Sequence, residues 1–278
     1  MHSALNCDKL IARNGGRPVK KNLSTVVVCF FLALSAANAA QQEAPAHAPD
    51  FRAPERIAPL YFPPKTRAPF IAIAKTLWVR ILPDESTVTT QNERIVARDM
   101  DGRIFQERRS FIPVPNDGKQ QSEIRIVNYS DPMEHKLYDC NIREKACDLF
   151  SYHDPMMASE MPAGLQPDGK TYLTRESLGT DTFEGMEVQH SRETYTFYSE
   201  TIGNTKTILR TVEYWYSAEL GVNVQVKRHD PRDGDQTLWL SNVSLSVPPP
   251  ETFQVPTEYR IIDHRSAAPI RMEGNASR

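Results

Sequence analysis

Beyond Ala40 this sequence has no apolar run that reaches the roughly 20 residues a membrane-crossing helix requires. It has no stretch with a sustained 3.6-residue hydrophobic period and almost no net charge, −2 over 278 residues. The first absence argues against an integral helical membrane protein. The second argues against a helical bundle, and the third against a basic field that draws in nucleic acid. Catalytic and metal-binding signatures are equally scarce. G-x-S-x-G, H-E-x-x-H and C-x-x-C do not occur, so there is no sequence mark of a nucleophile elbow, a zinc-protease helix or a thioredoxin-type redox pair. No catalytic residue, metal ligand or cofactor is assigned.

Met1–Ala39 reads as a secretory signal peptide. Arg17, Lys20 and Lys21 form its basic start, Val26–Ala36 its apolar stretch, and Ala37-Asn38-Ala39 a small-x-small site with cleavage expected after Ala39. Cys29 lies inside the apolar stretch behind Val28, where a lipoprotein acceptor needs a small residue. The expected product is an unanchored protein of the periplasm or the exterior, with no membrane span left. Of four cysteines, Cys7 and Cys29 leave with the leader, and Cys140 and Cys147 remain. An even pair in an oxidising compartment, with six residues between, predicts a disulfide across a tight turn.

Proline is frequent, at 21 residues. It is concentrated in residues 40–68, which therefore read as an extended arm or linker that forms neither ladder nor helix. Phe51, Leu60, Tyr61 and Phe62 are expected to tack this arm onto the surface of the domain. From Pro69 onward the pattern turns to period two. Leu77, Val79 and Ile81 alternate with Trp78, Arg80 and Leu82, and Val222, Val224 and Val226 alternate with Asn223, Gln225 and Lys227. Such alternation marks antiparallel sheet with one apolar face. Asp101-Gly102, Asp117-Gly118, Asp168-Gly169 and Asp233-Gly234 supply the positive φ of hairpin turns. The reading is mainly β. Strands near 69–82, 86–98, 103–112, 121–130, 135–140, 145–150, 170–179, 184–198, 206–217, 220–229 and 236–247 form an antiparallel meander, a curved sheet or open, incomplete barrel over residues 69–260. Helix is confined to short turns at Met156–Met161 and Glu251–Phe253, and residues 261–278 form a flexible tail.

Glu184-Gly185-Met186-Glu187-Val188, the run Glu213–Gly221 (EYWYSAELG), His229-Asp230-Pro231-Arg232 and the close Pro250–Pro256 (PETFQVP) resemble a recurrent region of uncharacterised secreted proteins of acidobacterial type. The close also resembles that of outer-membrane lipoprotein-carrier-like domains. The resemblance implies an incomplete barrel over a hydrophobic cavity that takes lipid chains or lipidated proteins. It lends no catalytic residues.

Tyr214, Trp215 and Tyr216, with Trp78 on the first strand, are the candidate ligand contacts, core packing being the alternative. His135, His153, His190, His229 and His264 are scattered and read as structural. Asp230–Asp235 reads as a hairpin turn rather than a calcium loop, and Ser217 as a turn residue. Arg103, Arg108 and Arg109 beside Phe105 and Phe111 read as an exposed sheet face. The expected function is that of an exported envelope protein holding a hydrophobic ligand, lipid or lipidated protein in a curved sheet. The alternative is a structural or protein-interaction component of the envelope with no small ligand.

Overall fold

A computed structural model describes residues 59–114, 122–154 and 161–265. The leader with Cys7 and Cys29, the arm up to residue 58, the Asp117-Gly118 turn, residues 156–160 of the expected helical turn and the tail from Ser266 lie outside the described residues. The chain divides into two units, Met1–Glu43 and Ala44–Arg278, and every described residue belongs to the second.

The described residues form one large sheet. Its strands are β1 (Phe70–Ile81), β2 (Thr87–Arg98), β3 (Ile104–Arg109), β4 (Ile112–Pro113), β5 (Ile124–Asp131), β6 (Lys136–Asn141), β7 (Ala146–Ser151), β8 (Gly164–Leu165), β9 (Thr171–Phe183), β10 (Met186–Phe197), β11 (Ile208–Ser217), β12 (Val222–Asp230), β13 (Gly234–Ser244) and β14 (Arg260–Asp263). Among the described residues helix is limited to one 3-10 turn at Pro250–Phe253. Across the sheet the order is β14-β7-β6-β5-β3-β2-β1-β13-β12-β11-β10-β9-β8, with β4 on β2. The two ends do not meet, so the sheet is open. β1–β2, β2–β3, β5–β6, β6–β7 and the successive strands from β8 to β13 pair antiparallel as hairpins, and β1 joins the two meanders by pairing with both β2 and β13. No helix among the described residues is long and apolar enough to cross a membrane, which says nothing of strands.

The hairpin chemistry is local. Gly102, Gly169 and Gly234 all have positive φ. At Gly234 the need is also steric, because a Cβ there would collide with the Val79 carbonyl where the β12–β13 turn packs on β1. Asp168 caps its own turn by accepting from the backbone N–H groups of Lys170 and Thr171. Cys140 and Cys147 stand opposite each other in the β6–β7 hairpin and are bonded. Ser217 Oγ accepts from Leu220 N–H in the β11–β12 turn, and Asp230 is ion-paired to Arg232 across the next one.

Three departures from the sequence pattern have physical causes. Two short strands, β8 and β14, have too few residues to show a period. β14 runs parallel to β7 and pairs Ile261 and Ile262 with Cys147 and Asp148. These residues are strand, not tail, because the PETFQVP close carries the chain over the outer face, where Phe253 lies under Arg103. Third, Leu60 and Phe62 are not on the surface. They are 6% and 5% exposed and belong to the core, with Phe70, Ala72, Ala74, Val96, Val212, Tyr214, Val222, Val224, Val226, Leu238 and Leu240. These strand residues share one face, which is called the inner face below.

Pro59–Ala68 therefore acts as a strap across the inner face. A Pro-rich segment offers few N–H groups but a full set of carbonyls, and the sheet meets these with arginine donors. Arg98, at 0% exposure, donates Nε to Ala68 O (2.9 Å), Nη1 to Pro63 O (2.8 Å) and Nη2 to Leu220 O (2.6 Å). Its guanidinium lies over Phe70. Lys65 reaches from the strap to Ala218 O and Glu219 O. Burial pulls the Arg98 pKa down to about 10, which leaves it charged at neutral pH.

Two outcomes follow. Arg98→Leu strands three buried carbonyls, each costing about 1–3 kcal/mol, so chemical denaturation is expected to show a loss of at least about 3 kcal/mol. Replacing Cys140 and Cys147 by Ala is expected to cost roughly 2–3 kcal/mol by the loop-entropy estimate, read as a lower denaturant midpoint with an unchanged slope.

Candidate functional site

Cross-strand pairing sorts the side chains by face. On the inner face, Ala74 stands opposite Arg94 and Leu240, Trp78 opposite Gln236, and Gln236 opposite Arg228. Glu193 stands opposite Val212 and Arg175, and Tyr195 opposite Arg210. On the other side of β2, Ile104, Gln106 and Arg108 continue the face to Ser130, Asn128 and Ile126, and Asn128 continues it to Asp139. Eight arginines (80, 94, 98, 108, 175, 210, 228 and 260) thus occupy inner-face strand positions against five carboxylates, Asp139, Asp148, Glu187, Glu193 and Asp230. The whole chain carries −2, so positive charge is concentrated on one side of the sheet.

These charges are handled in different ways. Arg175 pairs with Glu193 at 2.6 Å. Glu193 also accepts from the Tyr195 hydroxyl at 2.8 Å. Arg80 lies over the Trp78 ring at 4.6 Å and Arg210 over Tyr195 at 5.0 Å. Arg94 donates to Gln106 Oε1 (3.0 Å) and to Leu60 O of the strap (3.2 Å), two neutral oxygens. Burial, and then the nearby Arg108, pull its pKa to about 10.

Where the strap crosses β2, β3, β5 and β6 it roofs a groove of about 370 Å³, within the usual range for small-molecule sites of about 300–1,000 Å³. Leu60, Tyr61, Phe62, Ile104 and Leu137 give it apolar walls, and Arg94, Gln106, Arg108, Asn128 and Asp139 a polar floor, with Tyr152 and His153 at its margin. Asp139 Oδ1 is buried without a hydrogen-bond partner. Burial pushes the Asp139 carboxyl up, Arg108 pulls it down and Asp148 raises it again, with a net rise. Burial, and then Asp154, push the Tyr61 phenol up to about 12. The Tyr152 hydroxyl donates to Asp154 at 3.1 Å.

Two further hollows differ. One, of about 300 Å³, opens where β2 and β3 part. There the Glu107 carboxylate takes the place of a ladder carbonyl by accepting from Ile95 N–H and from Arg109, while Asn92 donates to Arg109 O and Ser110 O. Its polar groups satisfy one another. The other, of about 420 Å³, lies between Phe253–Val255 and the outer-face Tyr129 and Tyr138.

The four aromatic candidates do not form one cluster. Tyr214 is on the inner face, 2% exposed, with its hydroxyl 3.4 Å from Glu193. Trp215 points the other way, 7% exposed. Its indole donates to Asp181 at 3.2 Å, its ring stacks on His190 at 4.1 Å, and Lys227 lies 5.1 Å from its centre. Tyr216 is half-buried beside the bulge in the β11–β12 pairing. Trp78 is half-buried on the inner face and donates to Asp233 O at 2.8 Å. None of the four lines the groove. Among those that do, Arg94 was legible only as a breach of the alternation, as was Arg98, which holds the strap beside the groove. Arg94 and Arg98 have the parity of Val96, an apolar position, and charge at an apolar position is the signal. Arg108 faces inward, while Arg109 is paired to Glu107 on the other side of β3. His229 and His264 pair with Asp235 and Asp148. Among the described residues no group of three or more His, Cys, Asp or Glu is placed to hold a metal.

No protein-family model matches the chain, and no curated protein matches it. Solved structures with related strand arrangement include an uncharacterized conserved protein from Thermus thermophilus (8% identity, TM-score 0.33, 70% of this chain and 90% of that one). Another is the Pseudomonas aeruginosa MucA/MucB complex (8%, 0.35, 70% and 58%). A third is a LolA superfamily protein from Nitrosomonas europaea (8%, 0.26, 68% and 90%). At such identities and scores the likeness says nothing about this chain's site.

Asp139 gives the site a pH signature. Its carboxyl titrates higher folded than unfolded, so the folded state gains relative stability as pH falls toward the carboxylate range and loses it as pH rises through the folded value. Asp139→Asn is expected to raise the thermal midpoint at pH 7, and the difference from the parent is expected to vanish below about pH 4. An equal gain at both pH values would show that the charge is not the cause.

Proposed function

We propose that this protein is a non-enzymatic binding module of the cell envelope, exported by its leader, that holds a hydrophobic ligand in the groove between the strap and the inner face. The observation that carries this reading is the coexistence of a filled core and an unfilled groove on the same face. Between β1 and β11 the inner face is packed with Val, Leu and Ala side chains. Between β2 and β6 a hollow of about 370 Å³ stays open beneath the strap, bordered by edges of Leu60 and Phe62 and by Tyr61 and Leu137. Apolar surface left open in this way is stabilised by whatever apolar chain enters it, at roughly 25 cal/mol per Å² removed from water. The Cys140–Cys147 bridge supports an oxidising compartment. Of the four aromatic candidates, Trp78 is the one the proposal keeps as a ligand contact, for a ligand that extends along the inner face beyond the groove.

A second reading, a docking component without a small ligand, is favoured by one feature. β8 covers only Tyr172 and Leu173 of β9, so the outer edge of β9 from Thr174 to Phe183 has no strand partner among the described residues. Such an edge accepts an added strand.

Native mass spectrometry of the protein purified from its own periplasm separates the two. A co-purifying lipid-sized mass is expected on the parent and expected to be absent from Leu137→Trp, which fills the groove from its partly exposed wall. A bare mass for both would leave the edge-docking reading standing alone.

A further inference from the structure

The binding reading leaves open what the ligand's polar end is, and the electrostatics of the groove address it. Three observations converge. Arg94 lies in the floor with its guanidinium hydrogen-bonded only to the neutral oxygens of Gln106 and Leu60 and 5.6 Å from the centre of the Phe62 ring, so its charge has no compensating carboxylate. Arg108 stands beside it on β3 in the same floor. It forms no hydrogen bond and no ion pair with any described residue. Asp139, the one carboxylate of the floor, makes no ion pair within 4.0 Å of either arginine. Two neighbouring guanidinium groups, one of them sunk beneath the strap, repel each other, and an anion placed between them relieves the repulsion while forming charge-assisted hydrogen bonds. Planar guanidinium forks match the paired oxygens of a carboxylate or phosphate. Leu60, Phe62, Ile104 and Leu137 form the apolar part of the same lining.

We propose that the groove takes an amphiphile with a single anionic head group, a carboxylate or a phosphate, seated between Arg94 and Arg108, with its hydrocarbon chain along Leu60, Phe62, Ile104 and Leu137. This rests on the reading of the groove as the ligand site and adds the chemistry of what fills it. Arg94 has a second effect. Because it also donates to Leu60 O, a head group that draws on its remaining N–H groups is bound by the same side chain that holds the strap, so ligand and roof are fastened together. Zwitterionic and uncharged amphiphiles gain the apolar contact but not the pairing.

The test is a fluorescence-displacement titration on the full exported, oxidised chain with three probes of equal chain length: oleate, oleoyl-lysophosphatidate and oleyl alcohol. At least one anionic probe is expected to bind ten or more times more tightly than the alcohol. Tighter oleate identifies a carboxylate head group and tighter lysophosphatidate a phosphate, and either supports the proposal. Arg108→Gln, at an exposed position that carries no strap contact, is expected to cut that ratio to near one while leaving alcohol binding within twofold. Arg94→Gln is expected to do the same, and the spectrum and denaturant midpoint of each variant report whether it has folded. Equal binding of all three probes, or a ratio unmoved by Arg108→Gln, overturns the anionic head group and leaves the hydrophobic groove intact. Failure of the alcohol and both anions to bind, on a parent whose Leu137→Trp variant behaves identically, overturns the groove reading and this inference with it.

Discussion

The structure depends on how a proline-rich segment is fastened to a sheet it cannot join. Such a segment has carbonyl groups in excess and few N–H groups, so it cannot pair as a strand, and its backbone cannot be buried unless donors come to it. Arg98 brings three of them at once, to Ala68, Pro63 and Leu220. It thereby joins β2, the strap and the β11–β12 turn at one point, while Arg94 and Lys65 extend the fastening on either side. With the strap in place, Leu60 and Phe62 are driven into the core and the open sheet gains a cover for its inner face. Without it, a broad apolar surface would face water, which soluble chains avoid.

That solution has an electrostatic consequence. Arginines set at apolar positions to serve the strap make the inner face basic in a chain that is slightly acidic overall. Where a carboxylate is at hand, as at Arg175 and Glu193, the charge is quenched. Where an aromatic ring is at hand, as at Trp78 and Tyr195, the guanidinium rests on its face. In the groove no carboxylate is available to Arg94, whose guanidinium lies 5.6 Å from the centre of the Phe62 ring, and the burial that lowers its pKa also lifts that of Asp139. Opposite shifts in one small volume mark a floor where Arg94 and Asp139 are both poorly hydrated.

Much of the sheet was legible in the sequence because its determinants are local. Period-two alternation located β1, β2, β5 to β7 and β9 to β13, and the Asp-Gly pairs ending at Gly102, Gly169 and Gly234 located turns, since both depend on residues two to four positions apart. What was not legible depends on distant partners. β14 pairs in parallel with β7 across more than a hundred residues, and two- to four-residue strands carry no period. The strap reads as a linker because nothing within it records that Arg94 and Arg98, some thirty residues on, supply its hydrogen bonds. The aromatic run Tyr214–Tyr216 drew attention by composition, yet alternation places neighbouring side chains on opposite faces, so Tyr214 and Trp215 cannot share a site.

The groove persists for the same reason that it is polar at the base. An open sheet roofed by a short strap could close its remaining space by drawing the strap down. Toward β13 it does so, because Phe70, Leu238 and Leu240 offer nothing that needs water. Over β3, β5 and β6 the corresponding inner-face positions are Gln106, Arg108, Asn128 and Asp139, and pressing the strap further onto these would desolvate them without new partners, at about 1–3 kcal/mol for each group left unmet. The strap is therefore held off the sheet where the floor is polar and drawn onto it where the floor is apolar. The same strap residues, Leu60 and Phe62, thus close the core on one side and border the groove on the other.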